Sequence, residues 1–81
     1  MKLLDLSNKN LESFNAKEYC QENSIDPLSI EWLELNNNKI SSIKNFDELK
    51  KLKILYLNNN EIPKTEIEDL KEALLNTTIH Y

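Results

Sequence analysis

The chain has 81 residues, with 14 acidic residues against 10 basic ones, all of them lysine, and a formal net charge of −4 at pH 7. That length admits one small domain, whose core by itself supplies about 3 to 5 kcal/mol of net stability, so reinforcement has to come from regular stacking or from a partner. The lone Cys20 excludes an internal disulfide framework, the absence of glycine excludes the usual phosphate-cradling loop, and an acidic, arginine-free balance argues against nucleic acid as a partner.

The first segment, "MKLLDLSNKNLESF" (1–14), meets Asp5 after two apolar residues, too few for the apolar region of a signal peptide. No apolar run in the chain approaches the ~18 residues that cross a bilayer, so a cytoplasmic protein in a reducing compartment, without membrane contact, is the expectation. Within the segment, strand alternation turns Leu4 and Leu6 to one side and Asp5 to the other. Met1, Leu11 and Phe14 fill the remaining apolar positions. The next segment, "NAKEYCQEN" (15–23), predicts a helix with Asn15 as N-cap and Glu18 three residues on, and with Ala16, Tyr19 and Cys20 turned inward. Pro27 marks that this helix has ended.

A second strand and its exit follow in "IEWLELNNNKISSI" (30–43), and "KNFDELKK" (44–51) predicts a short return with Phe46 and Leu49 inward. The third strand lies in "LKILYLNNNEI" (52–62). In "PKTEIEDLKEALLN" (63–76), Thr65 as N-cap and Glu68 complete a capping box, with Ile67, Leu70, Ala73 and Leu74 along one face, the clearest helix of the sequence. The closing "TTIHY" predicts the opening of a fourth strand over 79–81, with Ile79 in the first apolar position, 27 residues after Leu52. The glycosylation sequon at 76–78 carries no weight without an export signal.

"LELNNNKI" at 33–40 recurs as "LYLNNNEI" at 55–62, displaced by 22 residues, and both sit in the frame L-x-x-L-x-L-x-x-N-x-L. This frame resembles the leucine-rich repeat family. The resemblance implies a single α/β domain over 1–81: a short right-handed solenoid with a parallel concave sheet of three to four strands and helices or 3-10 turns on the convex side. Its coils span about 1–29, 30–51 and 52–78, with a partial fourth strand at 79–81. Asn38 and Asn60 stand where the chain leaves the strand, where a short amide can both donate to and accept from unpaired backbone groups. Lys9 takes that place in the first coil, which has no preceding coil to stack on.

Stacking aligns equivalent outward positions of successive strands into rows. The third position of each frame reads Leu3, Trp32, Ile54 and Tyr81, an apolar and aromatic row that core formation does not require. Tyr56 lies beside it. At strand spacings of about 4.8 Å the row runs for roughly 15 Å and exposes a patch of a few hundred Å², the size at which apolar surface marks an interface. The second position reads Lys2, Glu31, Lys53 and His80, and the fifth reads Asp5, Glu34 and Tyr56, which gives a polar rim around an aromatic centre. The candidate partner-binding residues are therefore Leu3, Asp5, Trp32, Glu34, Ile54, Tyr56 and Tyr81. A bland alternative is that the row only packs strand on strand, worth about 0.2 to 1 kcal/mol per pair.

The resemblance implies a non-catalytic module that binds another protein through its concave face, as an adaptor or as a small inhibitor of phage or bacterial origin. The competing expectation is a self-assembling protein that pairs through open solenoid ends or through the apolar row. Cys20 and His80 are the only candidate nucleophile and base, on segments too far apart in the pattern to act together. No cofactor and no metal are expected, since no EF-hand-like loop or Cys/His cluster occurs.

Overall fold

A computed structural model describes residues 2–81; the apolar position assigned to Met1 lies outside them. Strands β1 (Lys2–Asp5), β3 (Ile30–Glu34), β5 (Ile54–Tyr56) and β6 (Thr78–His80) form one sheet in the order β1-β3-β5-β6, parallel throughout. A second, two-stranded parallel sheet joins β2 (Ser13–Asn15) to β4 (Ser42–Lys44). The return segments are helix α1 (Ala16–Glu22) followed by a 3-10 turn at Pro27–Ser29, a 3-10 turn at Phe46–Glu48, and helix α2 (Lys64–Ala73). The strands stack as a short parallel solenoid: each strand is one rung, and each rung returns across the far side of the core.

The repeated L-x-L triplets make that core. Leu33, Leu35, Leu55 and Leu57 are at most 2 % exposed, while the residues between and before them, Trp32, Glu34, Ile54 and Tyr56, are half-buried on the opposite face. Phe14, Ala16, Cys20, Phe46, Leu49, Ile67 and Leu70 close the core from the return side. Phe14 sits at the crossing, with Phe46 edge-on at 5.7 Å and Tyr19 at 5.5 Å between ring centroids. No rung buries its leucines alone; the next rung does it.

Asparagine does the work that holds rungs in line. The Asn38 amide accepts from the backbone N–H groups of Lys9 (2.9 Å) and Leu11 (3.0 Å), and donates to the carbonyls of Leu6 (3.0 Å) and Leu35 (2.9 Å). Asn60 repeats the arrangement one rung on, accepting from Ile40 N–H and donating to the carbonyls of Leu35 and Leu57, each at 2.9 Å. Each asparagine thus satisfies its own rung and the one before it. Lys9 follows β1, which is an edge strand of the sheet among the described residues, so no described neighbour asks for an amide there.

The turns are also asparagine chemistry. Among the described residues six have positive φ, and five are asparagine: Asn8, Asn10, Asn37, Asn45 and Asn59, with φ between 57° and 60°. The left-handed region crowds Cβ against the following carbonyl, and asparagine tolerates it better than other side chains when no glycine is present. Asn8, Asn37 and Asn59 occupy matching places after β1, β3 and β5, so all three rungs leave the sheet in the same way.

Three expectations need correction. Helix α2 starts earlier than the Thr65 capping box implies: its N-cap is Pro63, whose carbonyl accepts from Glu66 N–H at 3.0 Å, and Thr65 lies inside the first turn. Proline's fixed φ, here −58°, leads the chain directly into the helix. Ala73 is exposed instead of joining Ile67, Leu70 and Leu74. The last strand is displaced by three residues from the predicted register, since Ile79 pairs with Leu55 and not with the residue level with Leu52. After α2 a tight turn carries the chain back, with Thr77 N–H bonded to Leu74 O (3.1 Å), Thr77 Oγ1 to Leu52 O (2.6 Å) and Thr78 N–H to Lys53 O (2.8 Å). These bonds set Thr78 level with Ile54. The first and fourth positions of the frame are both apolar, so the sequence alone accepts Ile79 in either.

Candidate functional site

The strand face opposite the core carries the expected row for three of its four members. Leu3 pairs with Trp32, and Trp32 with Ile54, across adjacent parallel strands. Leu3 is 49 % exposed, and Trp32 and Ile54 are half-buried. The fourth place is Thr78, not Tyr81. Tyr81 falls beyond β6 and turns to α2, where Lys71 donates to its hydroxyl and lies 4.3 Å from the ring centroid. That contact, together with a weak neighbour at Glu68, holds the Lys71 ammonium above its usual range. The correction follows from the register: Tyr81 stands in the sixth position of the frame, where earlier rungs place Leu6, Leu35 and Leu57.

The same shift brings His80 onto the face. It pairs with Tyr56, which pairs with Glu34, which pairs with Asp5, so the fifth positions form a second row. The Tyr56 and His80 rings stack at 4.4 Å with 9° between planes, and the Trp32 ring stacks on the other side of Tyr56 at 6.1 Å. A continuous aromatic stack therefore crosses three strands. The sequence signal for it is the triplet "IHY" at 79–81, which matches "LYL" at 55–57 once Ile79 is laid on Leu55.

The polar groups divide by strand. At the second position, Lys53 and Glu31 form an ion pair at 3.1 Å that, with its hydrogen bond, holds the Glu31 carboxyl below its usual range. Such an exposed pair contributes little stability. Asp5 and Glu34 face the same side on neighbouring strands, with no salt bridge to either among the described residues. Asp5 is held by Ser7, whose hydroxyl donates at 2.6 Å and whose N–H donates at 2.9 Å; these bonds, the hydroxyl first, keep its carboxyl below the ordinary range. Two residues past the ends of β3 and β5, Asn36 and Asn58 keep buried side-chain oxygens without a donor, and the Trp32 indole Nε1 is buried without an acceptor.

Cys20 and His80 do not meet: the thiol points into the core from α1, where burial raises it above its ordinary range with Asp26 and Glu48 adding to the effect, and the imidazole lies on the strand face against Tyr56. Among the described residues, no group of His, Cys, Asp or Glu converges to hold a metal ion, and no helix is long and apolar enough to cross a membrane. An open groove of about 330 Å³ on the convex side runs between the Phe46 turn and α2, floored by Phe46 and Leu70 and rimmed by Asp47, Glu66 and Asp69.

A family model described as leucine-rich repeats (2 copies) matches residues 28–72, more than half of the chain. No curated protein and no solved structure matches it.

Proposed function

The chain belongs to the leucine-rich repeat family, whose domains generally mediate protein–protein interaction, and on that premise we propose that it binds a partner protein through the concave strand face. The observation that carries this reading is the aromatic stack of Trp32, Tyr56 and His80 beside the row Leu3–Trp32–Ile54, all outside the leucine core. The core closes without these side chains. Aromatic residues ringed by polar ones on a rigid sheet match the anatomy of interaction hot spots. The protein acts by occupying or bridging a partner's surface, as an adaptor or a small inhibitor, in a cytoplasmic and reducing setting where a lone buried thiol stays free. It performs no chemistry of its own.

The test uses immobilised protein to recover partners from extract of the source cell, comparing the parent chain with Trp32→Ala/Tyr56→Ala and with a convex-side control, Asp47→Asn. Partners retained by the parent and control but lost by the double variant support the reading. An identical set from all three would overturn it. A rival reading, self-assembly, is motivated by β1 and β6, each hydrogen-bonded to a neighbouring strand on one side only. Light scattering over a concentration series separates the two: a mass that stays at 9.5 kDa to high micromolar concentration removes the rival.

A further inference from the structure

Resting on the concave-face reading, we propose that the partner presents a basic segment, with a lysine or arginine side chain seated across the Asp5–Glu34 carboxylates and against the Trp32–Tyr56 rings. The argument is charge complementarity on one small surface. Asp5 and Glu34 are register partners on adjacent strands, so their side chains leave the sheet about 4.8 Å apart on the same side. Like charges directly opposite each other destabilise a sheet. No salt bridge among the described residues joins this pair to a cation: the ion pairs link Lys53 to Glu31 and Lys71 to Glu68, and Lys9 acts on Asp5 through its charge alone. The fixed hydrogen bonds from Ser7 hold Asp5 in its ionised form. A guanidinium or ammonium bridging the two carboxylates removes the repulsion and gains charge-assisted hydrogen bonds.

The rings beside the carboxylates suit the same chemistry. Two stacked rings, Trp32 and Tyr56, whose centroids lie 6.1 Å apart, share the strand face with Asp5 and Glu34. Aromatic faces attract cations, arginine most of all. His80 bounds the stack at the opposite end of the row from Asp5. The overall charge of −4 favours the same encounter at long range.

The experiment pans a displayed library of random dodecapeptides against the full 81-residue chain, then measures each winning peptide on the parent, Asp5→Asn/Glu34→Gln and Trp32→Ala/Tyr56→Ala. The first double variant keeps both shapes and the Ser7 acceptor, and urea melts confirm that each variant is folded. The expected winners are rich in lysine or arginine, bind at least tenfold more weakly to Asp5→Asn/Glu34→Gln, and weaken further as salt is raised. Winners that lose affinity only on Trp32→Ala/Tyr56→Ala, with no basic enrichment, overturn the charge assignment while leaving the concave face standing. Winners indifferent to both variants overturn the two readings together.

Discussion

Replacing Asn38 by alanine isolates the device that aligns the rungs. The substitution removes the acceptor of the Lys9 and Leu11 N–H groups and the donor to the Leu6 and Leu35 carbonyls. A net hydrogen bond contributes about 0.5 to 1.5 kcal/mol, and a buried group left unpaired costs about 1 to 3 kcal/mol. Asn38 is 8 % exposed, so water reaches the orphaned groups poorly on the Leu35 side and better near Lys9. The expected loss is about 2 to 5 kcal/mol. A chain of this length carries roughly 4 to 12 kcal/mol in total, so the variant sits close to its limit. Urea denaturation followed by circular dichroism reads the loss as a midpoint fall of about 2 M or more, at a slope of about 1 kcal/mol/M. The companion change Lys9→Asn, at the equivalent place after the edge strand β1, moves the midpoint far less, because no neighbouring strand on its outer side among the described residues offers it partners. A loss below about 1 kcal/mol for Asn38→Ala, or an equal loss for exposed Asn59→Ala, would refute the claim that the amide couples neighbouring rungs.

Three further outcomes are expected. Leu55→Ala, at a fully buried site on a strand paired on both sides, lowers stability by about 2 to 5 kcal/mol in the same assay, whereas Leu3→Ala, half exposed on the strand face, changes it by less than about 0.5 kcal/mol. Ser7→Ala moves the Asp5 carboxyl up toward its ordinary value in a carbon-detected NMR titration. Since the folded value is depressed below the unfolded one of about 3.9, Asp5 contributes stability above that pH and loses it as pH falls through the folded value, and Ser7→Ala flattens that acid limb. Cys20 reacts slowly with iodoacetamide at pH 8 because the buried thiol resists ionisation, and urea at the unfolding midpoint accelerates the reaction sharply; rapid labelling of the native chain would contradict its placement.

Much of the candidate face was legible before any coordinates, for reasons particular to its residues. Trp32 and Ile54 stand at equal distances before the frame leucines in two copies 22 residues apart, so their juxtaposition needs only the repeat. Leu3 followed from the weaker first copy, even across the irregular register between Lys2 and Leu3. The sequence misplaces Tyr81 and does not reveal His80 as a stacking partner, because a lone apolar residue, Ile79, has to fix the register of the final rung without a second leucine to check it. The Asp5–Glu34 pair is visible as two letters in a polar rim, but its lack of a salt bridge depends on where lysine side chains reach.

The sequence by itself determined the rung: L-x-L alternation fixes which side chains enter the core, the asparagines fix the exits, and the 22-residue displacement fixes that rungs stack in parallel. Those are local consequences of backbone geometry and burial, and each copy states them in full. Only the tertiary structure decided how the final rung meets its neighbour, where helix α2 begins, and which outward side chains touch. Frame positions one and four look alike to the hydrophobic effect, and the choice between them rests on the Thr77 and Thr78 hydrogen bonds to Leu52 and Lys53, contacts between residues 25 apart that exist only once the coil has closed.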